Sequence, residues 1–129
     1  MAKKIIFLMV LCSLAKFSYC QVQYTVNKVA YGTVTSQSEP KIGEFKLIPL
    51  FKANLFSDAL TFDEGFDGKG DVYFKLVRKI NTGDPSKQRW NGLDRYNTAV
   101  EVTIKDYNIY VLIAIRDIET NKLTIYKTL

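Results

Sequence analysis

The 129-residue sequence contains no histidine, and that absence removes a good deal of chemistry. A Ser-His-Asp triad, a Cys-His pair, a histidine-bearing zinc site and an imidazole pH switch are all excluded within one chain. Cysteine is almost as scarce. The two present, Cys12 and Cys20, both lie in the first 20 residues, so no disulfide framework staples the rest. No asparagine stands two positions before Ser or Thr, so there is no N-glycosylation sequon. With only three prolines and seven glycines, and no low-complexity tract, the chain has no linker signature and reads as a single domain.

The N-terminus reads as an address. Lys3 and Lys4 precede an apolar run, Ile5–Ala15, which is followed by a more polar Lys16–Cys20. This is the layout of a secretory signal peptide, and the run is shorter than the roughly 20 residues a membrane span needs. Ser18 and Cys20 suit a cut before Gln21, and Ser13 and Ala15 suit one before Lys16. The first leaves an ordinary c-region and is preferred, giving a signal peptide over 1–20 and one domain over 21–129. Tyr19 is large, which disfavours a lipidated Cys20. The expected location is secreted, extracellular or periplasmic, with no membrane span after cleavage.

Cleavage also changes the charge. The formal net of +5 includes Lys3, Lys4 and Lys16. Without them 15 basic residues face the same 13 acids, a net of +2, too little to support nucleic-acid binding.

What remains is rich in strand-like alternation. Val100, Val102 and Ile104 alternate with Glu101, Thr103 and Lys105, the mark of a half-buried strand. Asp106, Tyr107 and Asn108 supply a turn. Ile109–Ile115 is apolar at every position, as a strand covered on both faces would be. After a polar connection in which Asn121 suits a left-handed turn, Leu123 and Ile125 alternate with Thr124 and Tyr126. These segments predict a three-strand antiparallel meander.

Upstream, Val22, Tyr24 and Val26 alternate. The phase then slips to Val29 and Tyr31, which predicts a bulge near Asn27-Lys28. Pro49 within Phe45–Phe51 points to an edge strand or a break. Val72, Phe74 and Leu76 form another alternating set. Ala53–Leu60 fits a helical turn or a strand, and Ser86–Asn97 fits a hairpin about Asn91-Gly92 or a long loop. The expected fold is all-β, a small antiparallel sandwich or barrel of about five to seven strands.

Three features carry functional expectations. Lys75–Arg95 has a net charge of +4 and encloses Trp90, with Tyr96 adjoining. Arginines beside aromatic rings grip anionic or sugar ligands and anchor interfaces, which nominates Arg89, Trp90, Arg95 and Tyr96 as a partner-binding set. A Trp is also a common core residue, and lysines commonly guard an exposed edge. Asp63–Asp71 is acidic and glycine-rich, and its Asp63, Asp67 and Asp71 offer oxygen ligands to calcium. Their every-fourth spacing departs from an EF-hand, and a solvated loop explains the composition equally well. Thirteen acids leave room for a carboxylate pair of the glycosidase kind, although nothing singles out two of them.

The expected function is therefore a secreted, non-enzymatic β-domain that binds an extracellular protein, glycan or other anionic partner through a basic-aromatic surface. A small extracellular hydrolase using paired carboxylates and a calcium-stabilised structural module are the alternatives.

Overall fold

The computed structural model describes residues 22–35, 38–63 and 72–129. Nine strands run through them: β1 (Val22–Thr35), β2 (Ser38–Ile42), β3 (Lys46–Leu55), β4 (Ala59–Phe62), β5 (Val72–Ile80), β6 (Lys87–Leu93), β7 (Ala99–Asp106), β8 (Val111–Asp117) and β9 (Lys122–Thr128). Every pairing is antiparallel. Strands β3 to β9 follow in sequence order, and β1 pairs with both β3 and β9. Eight strands thus close into a barrel, and β2 is an extra strand on the far end of β1. The architecture is a barrel rather than a sandwich, with more strands than the alternation alone predicts. The described residues contain no helix long and apolar enough to cross a membrane.

The expected β7–β8–β9 meander is present, with Val102 opposite Ile115 and Ile113 opposite Tyr126. The slip near Asn27 is present too. Register with β3 and with β9 shifts between Val26 and Lys28. Opposite it, Ile48, Pro49 and Leu50 lie between the paired positions Leu47 and Phe51. Proline, which has no N–H to give a ladder, falls where the ladder is interrupted. Ala53–Leu60 is no helical turn. It ends β3, turns, and opens β4, closed by the Phe56 N–H donating to the Ala59 carbonyl at 2.8 Å.

Asn91-Gly92 is not a turn either. It lies inside β6, where Gly92 faces Leu76 of β5 and Val100 of β7. A Cβ at Gly92 would overlap the Lys75 carbonyl oxygen. The missing side chain lets β5 and β6 approach beside the β5 bulge between Leu76 and Arg78.

The turns instead use a repeated device. Asp94, Asp106 and Asp117 each accept, through a side-chain oxygen, backbone N–H groups two to four residues on, at 2.8–3.1 Å. Asn97, Asn108 and Asn121 in the same loops take left-handed backbone angles, with φ of 62°, 73° and 57°. Short polar side chains make both halves of this turn inexpensive.

The barrel is filled by its own side chains. Phe51, Phe62, Phe74 and Tyr126 pack with ring centroids 4.9–5.8 Å apart in tilted and edge-on pairs. Leu55, Leu60, Trp90, Val102 and Ile113 are among the residues that join them in the core. At this level the barrel is solid, as in small barrels whose interiors are filled by side chains.

Candidate functional site

The outer wall of β6–β9 departs from the polar exterior of an ordinary barrel. Register places Arg89, Thr103, Ala114, Ile125 and Ala30 side by side across five strands. The next row contains Glu101, Arg116, Leu123 and Gly32. Leu123 and Ile125 are buried although they lie on the outside, and the residue β9 contributes to the core is Tyr126. The reason is the β1–β2 hairpin. A Cβ at Gly32 would overlap the Lys41 carbonyl oxygen, so glycine permits the close pairing of the two strands. Val34 donates its N–H to the Asn121 carbonyl at 2.9 Å, which ties the hairpin to the β8–β9 loop.

Between hairpin and wall lies a groove of about 390 Å³. Val34, Pro40 and Ile42 form its hairpin side, and Leu112, Ala114, Leu123 and Ile125 its apolar floor. This accounts for the apolar run of β8: one face feeds the core, the other floors the groove. Lys87, Arg89, Lys105 and Arg116 line the groove as well, against one acid, Glu101.

Glu101 holds the two arginines. Its Oε2 lies 3.2 Å from Arg116 Nη2, and its Oε1 lies 3.6 Å from Arg89 Nε. Arg116 Nη1 also donates to Asn121 Oδ1, and Arg89 Nε to Thr103 Oγ1, each at 3.4 Å. The carboxylate orients both guanidinium groups but neutralises only one positive charge. With side chains 33% and 29% exposed, both arginines still face solvent.

Aromatic rings bound one end of the wall. Tyr107 and Tyr110 stack at 5.1 Å. Lys127 Nζ sits 4.3 Å from the Tyr110 ring centre and 5.5 Å from that of Phe45, and Lys105 Nζ sits 5.1 Å from that of Tyr107. Nearby, Asp84 accepts from the Ser86 hydroxyl at 2.7 Å and the Ser86 N–H at 2.9 Å. Those bonds hold its carboxyl below the usual range, with smaller help from Lys105 and Lys87.

Of the four residues nominated from sequence, only Arg89 lies on this wall. Trp90 is its neighbour on the strand and therefore points the opposite way, into the core, where it is 6% exposed. The basic-aromatic surface is corrected accordingly, because tryptophan and arginine at adjacent strand positions cannot share a face. Arg95 and Tyr96 occupy the middle of the β6–β7 turn, exposed, with the Arg95 guanidinium 5.0 Å over the Tyr96 ring. Asp94 and Asn97 build that turn on either side of them. Sequence reasoning missed Lys105, Tyr107, Tyr110, Arg116 and Lys127. The one signal available was that Lys105 and Arg116 sit at outward positions of alternating strands.

Asp63 accepts the Asn54 side-chain amide at 2.9 Å, and Asn54 in turn accepts from Gln23 at 2.8 Å. Asp67 and Asp71 lie outside the described residues, so the calcium set is represented there by Asp63 alone. For a carboxylate pair, the groove supplies a single acid, already held by two arginines. Asp84, Asp94, Asp106 and Asp117 are engaged in turns. In comparisons with known proteins, no family model matches the chain, and no curated protein or solved structure is detectably similar to it.

Proposed function

We propose that this chain is a secreted, non-enzymatic β-domain that binds an anionic extracellular partner, protein or glycan, through the outer wall of β6–β9. The observation that carries this reading is the imbalance of the groove: four cations and one acid over an apolar floor. Arginine forks pre-oriented by a carboxylate suit planar anionic groups, and the apolar floor adds contact area without adding specificity for charge. The filled barrel supports a surface mode of recognition over capture of a small molecule inside. The engagement of Asp84, Asp94, Asp106 and Asp117 in turns and of Glu101 in ion pairs favours binding over acid–base catalysis.

Two measurements test the reading. The intact mass of the protein secreted by its native host is expected to match residues 21–129, less ammonia if Gln21 cyclises. A mass starting at Lys16 would retain Cys20, and an uncleaved chain would overturn secretion. Second, Arg89→Ala combined with Lys87→Ala is expected to weaken binding to immobilised heparin or poly-glutamate about tenfold, or roughly 1.4 kcal/mol. The circular dichroism spectrum should not change. If affinity is unaffected by that pair and falls instead on Arg95→Ala with Tyr96→Ala, the site belongs to the β6–β7 turn and the groove assignment is lost.

A further inference from the structure

One row of the wall is occupied by lysine to an unusual degree. Lys28 of β1 is directly opposite Lys127 of β9, Lys127 is opposite Leu112 of β8, Leu112 is opposite Lys105 of β7, and Lys105 is opposite Lys87 of β6. Four lysines therefore line up across five strands, perpendicular to the chain direction. At the usual strand spacing of about 4.8 Å the row is about 19 Å long. We propose that it is a binding track for a linear anionic glycan, one carrying sulfate or carboxylate groups along successive sugars. This inference rests on the reading of the wall as an anion-binding face and names the class of anion.

The row opposes its own folding. Like charges directly opposite one another in a sheet repel, and here two such pairs, Lys28–Lys127 and Lys87–Lys105, stand in one line. Among the described residues none of the four lysines has a carboxylate within ion-pair distance, since both ion pairs formed belong to Glu101. Asp84 at the β6 end lies within electrostatic reach of Lys105 and Lys87, and its carboxylate is bound to Ser86. A bound polyanion would remove that repulsion, while a neutral or cationic partner would not.

Three features select a linear glycan from other polyanions. The lysines are half-buried at aligned register positions, and Lys105 and Lys127 are held further by ring contacts, so the charge is presented as a row rather than a broad patch. A line fits an extended chain better than the broad apolar centre and polar rim of a folded protein partner. The rings beside the row are already engaged: Tyr107 by Lys105 and Tyr110, and Tyr110 and Phe45 by Lys127. They hold ammonium groups in place and are not free platforms for stacking bases, on which single-stranded nucleic acid binding depends.

The test compares the wild-type domain with Lys105→Gln/Lys127→Gln and with Lys28→Gln/Lys87→Gln. The second pair leaves the ring contacts of Lys105 and Lys127 intact, should the first perturb folding. Binding is measured over a salt series against heparin, poly-glutamate and a single-stranded oligonucleotide of matched charge. Heparin is expected to bind tightest, and each double variant to lose at least about tenfold. The slope of log affinity against log salt should become shallower by about one per lysine removed. Lys28→Gln alone should raise the melting temperature at low salt, an increase that fades as salt screens the repulsion.

Equal affinity for all three polymers overturns the glycan assignment and leaves the anionic reading of the wall standing. Undiminished heparin binding in both lysine pairs, with loss in Arg89→Ala, overturns the track while the groove stands. Failure of the wild-type protein to bind any of the three at low salt overturns both.

Discussion

Trp90→Ala is expected to lower stability by about 3–5 kcal/mol, the cost of removing a large ring from a packed interior. The folded fraction should keep its affinity for an anionic probe. Trp90 joins a core cluster with Leu76, Val102 and Ile104, and it faces Val102 across the β6–β7 ladder. Its neighbours are held in strands, so the space closes only in part and a cavity is left. Lys79 lies over the ring, 5.6 Å from its centre, and would lose that contact as well. Denaturant midpoints and heparin affinity, read on the same variant, separate the two roles. Unchanged stability with lost binding would restore Trp90 to the surface and overturn its placement in the core.

Gly92→Ala should cost nearly as much through the opposite mechanism. One methyl group added there meets the Lys75 carbonyl oxygen, and that oxygen is main chain in the neighbouring strand, so no side chain can swing aside. Either β5 and β6 separate or the β5 bulge moves, and overpacking of this kind costs about 1–3 kcal/mol. The expected value is at the upper end, because β5–β6 is one of the seams that closes the barrel. Chemical denaturation measures it. A variant as stable as wild type would mean that the two strands are farther apart than the structure places them.

Gly92 also shows where sequence reading stops. Asn-Gly is a strong local hairpin signal, and nothing within a few residues says that the glycine is needed for a neighbouring carbonyl 17 positions upstream. By contrast, the Asn27 bulge, the left-handed Asn121 and the β7–β8–β9 meander were legible, because each is written in side chains close together along the chain. Pro49 was legible for the same reason. Closure into a barrel was not, since it depends on β1 meeting β9. The face of β9 was hidden by another long-range event: the β1–β2 hairpin gives the outward Leu123 and Ile125 shelter, which inverts the usual meaning of an apolar position. For the same reason the candidate site is only partly visible in the sequence. Arg89 stands out within its charged stretch, but the Lys105, Arg116 and Lys127 that share its wall come from three other strands, and only the register assembles them.

The pairing of β1 with β9 has a bearing on how the protein is made. Val29 meets Tyr126, and Thr25 accepts from the Leu129 N–H at 3.1 Å, so the first described strand waits for the last. Such non-local pairing slows folding, because most of the loop entropy is spent before the contact forms. During synthesis, β1 is available long before its partner, and the edge meant for β9 stays uncovered. That interval is when one nascent copy is most exposed to capture by another. Lys28, Lys87, Lys105 and Lys127 place positive charge on β1, β6, β7 and β9, and like charge of this kind opposes pairing between the open ribbons of separate copies until the ends meet.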